Sequence, residues 1–329
     1  MPVPKVAGRA ARAVAGPVAR LPRAGWIAAL GLVCLAVLFG PPRGSRATRE
    51  RTPSAPAQPG ARAREGGSAN AGAAPTADRA RWRHVFAEDF STPAPTFPGR
   101  AYAARWWAYP SRWTDTSGSV GRPAAERGRY DCARTCSVAG GVLRLNLHSE
   151  RGIPYVAAPV PRLPGSSGGV GSMPSGQRYG RYSVRFRATA NGPGYKAAWL
   201  LWPDSEKWPA DGEIDFPEGS LDAGFAGFVH HRGARSGSDQ KRVPSSGSGA
   251  TFGAWHVATV EWSPGKVAFL LDGRRLGTET SRVPNTPMHW VLQSETEVRA
   301  APIPDASRAT VEIDWVSVWR WAGGARSAR

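Results

Sequence analysis

Three observations predict an all-β chain folded as an antiparallel β-sandwich of the jelly-roll type. Apolar residues alternate with polar ones at a period of two, an Asp-Gly dipeptide joins two strand-like runs, and Gly, Pro and Ser recur every few residues. No long stretch carries apolar residues at helical spacing. The chain has 329 residues, 41% of them hydrophobic, which is enough to bury a core and excludes full-length disorder.

Residues 1–40 differ from the rest. A basic stretch ends at Arg23, and Ala24 to Gly40 carries no charge before Pro41-Pro42. That span is at the short end of what crosses a bilayer as a helix and longer than the usual apolar region of a signal peptide. A cleaved signal peptide and a retained membrane anchor both stay open. Either one predicts export, to an extracellular place or one tethered at the cell membrane. Residues 41–80 are Pro, Ala, Gly, Ser and Arg with almost nothing to bury, and read as a disordered linker. The folded domain is expected over 81–322, with a tail over 323–329.

The net charge is +18, and half of it lies before residue 81, in a quarter of the chain. Only Trp26 of the 14 tryptophans lies there. The remaining +9 is dispersed over an aromatic-rich body, so a nucleic-acid partner is not expected despite the basic total. A monomer is.

Within the body, Leu143, Leu145 and Leu147 alternate with Arg144, Asn146 and His148; Tyr182, Val184 and Phe186 alternate with Ser183, Arg185 and Arg187. Val267 to Leu271 runs into Asp272-Gly273, a hairpin-turn dipeptide. Val311, Ile313, Trp315, Val318 and Trp319 close the series. Cys132 and Cys136 enclose three residues; in an exported chain this spacing reads as a small-loop disulfide, and no second Cys pair or His-x-x-x-His completes a zinc site.

Chemistry concentrates in Asp211-Gly212-Glu213-Ile214-Asp215-Phe216-Pro217-Glu218. On a regular strand Glu213 and Asp215 share a face and Glu218 takes the other. A bulge at Phe216-Pro217 returns Glu218 to the first face, and proline is at home in a bulge. Three carboxylates in a row repel one another and hold protons, which is what a general acid beside a nucleophile requires. An exposed acidic strand or a calcium site is the competing reading of such a triplet. Trp199, Trp202 and Trp208 lie just upstream, and Trp208 and Trp199 are candidate platforms for sugar rings.

The segments Gly180-Arg181-Tyr182, Ala198-Trp199-Leu200-Leu201-Trp202-Pro203 and Trp208-Pro209-Ala210-Asp211-Gly212, followed by Glu213 to Glu218, resemble glycoside hydrolase family 16. That is the laminarinase and lichenase group, with its concanavalin-like jelly roll and concave substrate cleft. Trp255-His256 to Glu261-Trp262, the Asp-Gly hairpin and Val311 to Trp319 extend the resemblance over about 83–321. It implies a retaining endo-glycosidase acting on a β-1,3 or mixed-linked glucan. Glu213 would be the nucleophile, Asp215 its assisting carboxylate and Glu218 the general acid/base. His230, Gln293 and Glu295 would contact the polysaccharide substrate. No cofactor is needed for this chemistry; Asp314 matches a position that supplies a structural calcium ligand in some members. Two departures fall at the cleft, Pro217 within the bulge and Gly194-Tyr195-Lys196-Ala197 where Trp-Pro-Ala is usual. A non-catalytic carbohydrate-binding sandwich and a transglycosylase with the same nucleophile are the alternatives. Gly165-Ser166-Ser167-Gly168-Gly169 fits a nucleophile-elbow pattern but lacks the strand and helix that make one.

Overall fold

Alternation of apolar and polar residues gives seventeen strands among the described residues, and pairing sorts them into two large sheets and a small ribbon. The structure is a computed structural model that describes residues 72–323 apart from 118–122, 124–125, 169–171 and 298–302. The apolar span Ala24 to Gly40 and most of the linker lie outside the described residues.

The larger sheet has the order β15 (Arg274–Glu279), β14 (Lys266–Leu271), β13 (His256–Ser263), β8 (Gly180–Asn191), β17 (Arg308–Trp321), β5 (Val142–Glu150), β6 (Ile153–Val156) and β3 (Arg129–Tyr130). In addition, β1 (Trp82–Glu88) pairs with β17, and β4 (Cys136–Ala139) with β5. The second sheet has the order β12 (Gln240–Pro244), β11 (Ala226–His230), β10 (Glu213–Ser220), β9 (Tyr195–Pro203) and β16 (Met288–Thr296). A ribbon of β2 (Trp106–Ala108) and β7 (Pro159–Pro161) forms a third sheet that packs against β16. Among the described residues, helix is confined to single turns such as α1 (Gly99–Tyr102) and α2 (Cys132–Thr135). A disulfide joins Cys132 to Cys136 across α2.

The fold is the β-sandwich that the alternation predicted. On β8, Tyr182, Val184, Phe186 and Ala188 are buried in the core, while Arg181, Arg185 and Arg187 alternate with them on the outer face. At the β14–β15 turn Asp272 and Gly273 both have positive φ, the backbone of a tight hairpin. The core lies between the sheets: Phe186 and Tyr182 of β8 meet Trp199 of β9 and Trp290 of β16 edge to face, at 5.1 and 5.5 Å.

This packing corrects the expectation for Trp199. It is 1% exposed and turned towards the opposite sheet, so it is a core residue and not a sugar platform. The reason is parity. Ala198, Leu200 and Trp202 take one face of β9 and Trp199 and Leu201 the other, and only pairing to β10 decides which face meets the core.

Candidate active site

The site is built on the face of the five-stranded sheet that turns away from the core. Between Asp215 and Glu218 the register of β10 shifts against both neighbours: Asp215 pairs with Phe228 and Leu200, Glu218 with Ala226 and Ala198. Phe216 and Pro217 together oppose one residue on each side, which is a β-bulge. Glu213, Asp215 and Glu218 therefore share one face, as the spacing predicted. Phe216 points into the core against Phe225 and Phe269 and anchors the bulge.

All three carboxylates are buried, Glu213 at 8%, Asp215 at 2% and Glu218 at 6% exposed. Burial raises the Glu213 carboxyl above the usual carboxylate range and raises Asp215 well above it; each then feels the negative charge of its neighbours. A hydrogen bond joins Asp215 to Glu213, lowering Glu213 and raising Asp215. Of the two, Asp215 is therefore the carboxyl raised further, and Glu213 the one its neighbours pull back down. Trp208 Nε1–H donates to Glu213 Oε2 at 2.7 Å and pulls in the same direction.

His230 lies at this end, 2% exposed, facing Glu213 from β11. Its Nδ1–H donates to the Gly237 carbonyl at 2.8 Å, which fixes the tautomer. Nε2 then stands 3.6 Å from both Glu213 Oε2 and Asp215 Oδ2. Glu213, Asp215 and His230 together offer ligand atoms within 4.8 Å of one another, the one such group among the described residues. The Trp208 N–H already occupies one oxygen of the Glu213 carboxylate, an arrangement that can serve acid–base chemistry. Trp208 stacks on Trp202 at 5.9 Å and 21°, so the two indoles form one wall beside Glu213.

At the other end of the row, Ser220 pairs with Lys196 and Lys196 with Glu295. The Lys196 ammonium lies 3.1 Å from Glu295 Oε1 and 3.4 Å from Glu218 Oε1, and the residue is 6% exposed. Glu295 is 1% exposed and accepts hydrogen bonds from the Thr116 amide, the Thr116 hydroxyl and the Tyr130 hydroxyl. Sequence reasoning placed Glu295 and Gln293 against substrate. The structure puts Glu295 on the same face as Glu218, two strands away and buried among Lys196, Thr116 and Tyr130, and Gln293, 6% exposed, beside Ala198 in line with Glu218.

An aromatic group missed by sequence reasoning covers this end. Tyr109 packs edge to face against Trp107, Trp113 and Tyr130 with centroids 5.0–5.7 Å apart. Burial raises the Tyr109 hydroxyl, and the charges of Glu206, Glu213 and Glu295 raise it further. The segment is tied down by Asp115, whose Oδ2 accepts from the Thr296 amide and hydroxyl at 3.0 and 2.6 Å. Gly128 lies so close that a Cβ there would sit 2.1 Å from the Asp115 carboxylate. The only signal in the sequence was a run of aromatic residues about 100 positions from the acids.

Asp314 lies on the other sheet, on the outer face of β17, and is no part of this cluster. It lines a surface cavity of about 380 Å³ with Asp89, Ser91, Gly141 and Trp315. Its Oδ2 already accepts a hydrogen bond from the Arg185 guanidinium, and Arg185 in turn lies over the Trp255 ring at 4.3 Å. A calcium site needs several oxygens free of a competing cation. Arg185 holds one of the two Asp314 oxygens, and Asp89, Ser91 and Gly141 bring further oxygens to the same cavity.

Comparison with known proteins agrees with this architecture. The model of the glycosyl hydrolases family 16 matches residues 134–317, more than half of the chain, and the chain belongs to that family. Among solved structures it is similar to the catalytic domain of an endo-1,3-beta-glucanase (laminarinase) from Thermotoga petrophila, at 18% identity and TM-score 0.55, covering 74% of this chain and 99% of that one. It is equally similar to a non-specific endo-beta-1,3(4)-glucanase of the same family, at 21% identity and TM-score 0.55, covering 75% and 94%. A third, at 19% identity and TM-score 0.55 over 72% and 98%, is an immunostimulatory antigen and pseudo beta-1,3-glucanase of Mycobacterium tuberculosis. No curated protein matches the chain in sequence.

Proposed function

We propose that the protein is a retaining endo-glycosidase that hydrolyses β-1,3 or mixed-linked glucan by double displacement. The observation that carries this reading is the bulge that sets Glu213, Asp215 and Glu218 on one face of β10. The glucanase names of two similar structures give the substrate class.

In the first step Glu213, ionised and steadied by Trp208 and Asp215, attacks the anomeric carbon. The glycosidic C–O bond breaks as Glu218 gives its proton to the departing oxygen. In the second, water attacks the glycosyl-enzyme ester, Glu218 takes the water proton, and Glu213 leaves as carboxylate. Trp202 and Trp208 offer an apolar wall for a sugar ring beside the nucleophile. The N-terminal span would bring the enzyme to the outer face of a membrane or release it beyond, where such polysaccharides lie.

The test is product analysis on a β-glucan panel. Wild type should release oligosaccharides, and Glu213→Gln and Glu218→Gln should each lose at least about 10³-fold in turnover while melting like wild type. Near-wild-type hydrolysis by either variant would falsify the assignment. A non-catalytic binder is the second reading, favoured by the pseudo-glucanase among the similar structures. It predicts glucan binding by wild type with no new reducing ends. Products longer than the starting chain would instead identify a transglycosylase.

A further inference from the structure

A lysine buried against two glutamates is costly unless both charges it meets are useful, because an ammonium leaves water only for compensating partners. Lys196 is such a residue, standing where the family pattern has proline. It has no counterpart among the described groups at the nucleophile end, where His230 takes the corresponding place.

We propose that Lys196 is a positioning residue for the acid/base: Glu295 anchors its ammonium, and the ammonium sets the charge environment and orientation of the Glu218 carboxylate. This rests on the reading of Glu218 as the acid/base. The anchoring follows from the network. Glu295 is held by Thr116 and Tyr130 and lies nearer to Lys196 than Glu218 does, 3.1 against 3.4 Å. Burial raises the Glu295 carboxyl, and Lys196 is the first influence that lowers it again. Glu295 and Lys196 therefore form a fixed ion pair, and Glu218 meets the ammonium on its other side.

The groups that face Glu218 pull in two directions. On its own strand Glu213 and Asp215 favour the protonated carboxyl, as does Glu295 from β16 with Asp115 behind it. Lys196 from β9 favours the carboxylate, as does His230 from β11 when it is doubly protonated; Tyr130 reaches Glu295 through its hydroxyl. Glu218 must be protonated before the glycosidic bond breaks and ionised after it. The fixed ammonium beside it offsets the surrounding acids. Without that cation the row of acids holds the proton, and the second step, in which Glu218 must act as base, suffers.

The alkaline limb of the pH profile of kcat/KM reports the group that must be protonated, and the acidic limb the group that must be ionised. Lys196→Met keeps the length of the side chain and removes the charge. It should move the alkaline limb upward by about one pH unit, a tenfold change in proton concentration, since an opposite charge at this range is worth about 1–3 units. The acidic limb should stay within a few tenths. Glu295→Gln removes a negative charge and frees the ammonium for Glu218, so it should move the alkaline limb downward.

Both variants would be profiled on laminarin with near-ultraviolet dichroism as the check of folding. Folded variants with both limbs unmoved overturn the proposal, and so does a fall in kcat that is the same at every pH. If Lys196→Met fails to fold, the downward shift in Glu295→Gln decides. If wild type hydrolyses no glucan, the glycosidase reading fails by itself. The carboxyl carbon of Glu218, followed by NMR titration in wild type and Lys196→Met, then decides for Lys196: an upward midpoint in the variant supports it and coincident curves reject it.

Discussion

Asp215 shows how much one side chain contributes to this site. It lies between two other acids, 2% exposed, and its carboxyl is raised well above the usual range because burial penalises the charge first and Glu213 and Glu218 repel it next. The sign for stability follows from that shift. A carboxyl raised in the folded state contributes stability that is fully present below the unfolded value and is lost as pH rises through the folded one. Asp215→Asn keeps a hydrogen-bond donor towards Glu213 and cannot ionise. The variant should therefore melt close to wild type at pH 4 and progressively above it towards pH 8, with hydrolysis reduced. Each unit of difference between folded and unfolded values is about 1.4 kcal/mol, and about 1 kcal/mol moves Tm by about 2–4 °C in a domain of this size. Thermal melts across that range check it; a Tm difference that does not grow with pH would contradict the raised Asp215 carboxyl. Trp208 could be placed here from the sequence because it lies five residues before Glu213. Lys196 and Tyr109 could not, since their partners are far along the chain and nothing local marks them.

The decisive element is β10. Its bulge makes an odd sequence separation behave as an even one: Asp215 to Glu218 is three residues, but only two steps along each neighbouring strand. Deleting Pro217 alone would leave a regular strand with the third glutamate still on the cleft face. That deletion should keep hydrolysis within about tenfold of wild type, an expectation drawn from the period of two. Deleting Phe216 and Pro217 together leaves a single step from Asp215, which should turn the glutamate into the core, abolish hydrolysis and lower Tm, because a buried unpaired carboxylate costs several kcal/mol. Measuring turnover and melting of the two variants side by side checks the parity, and the opposite ranking would reject it. β9 gives the complementary lesson. Its residues from Tyr195 to Pro203 are all buried, so hydropathy carries no period to read, and the two faces differ only in what covers them.

For the molecule as a whole, the described residues begin before the first strand, and that lead is not idle. The Trp319 indole N–H donates to the Ala77 carbonyl at 2.9 Å and the Ser317 hydroxyl donates to the Pro75 carbonyl. Trp319 is fully buried in consequence, although it faces out from the larger sheet towards Arg181. A chain beginning at residue 72 should melt within about 1 °C of the full-length protein. One beginning at residue 81 should lose about 2 kcal/mol with these two hydrogen bonds, or about 4–8 °C. Calorimetry of both truncations tests this, and equal melting would show that residues 75–77 contribute nothing. The outer face of the same sheet also places Asp314. Arg185 reaches it from β8, a strand that begins more than 130 residues earlier.

The sequence alone determined the strand period, the hairpin at Asp272-Gly273, the small disulfide loop and the common face of Glu213, Asp215 and Glu218. Each of these depends on residues within a few positions of one another, where backbone geometry has only two or three answers. Tertiary structure decided which side of β9 became core, so that Trp199 is packing and Trp202 is wall. It also decided that Lys196 meets Glu218 and Glu295, that Tyr109 and Tyr130 close over them, and that Arg185 answers Asp314. Those outcomes depend on strand order and on charge compensation across strands, and neither is encoded within any one segment.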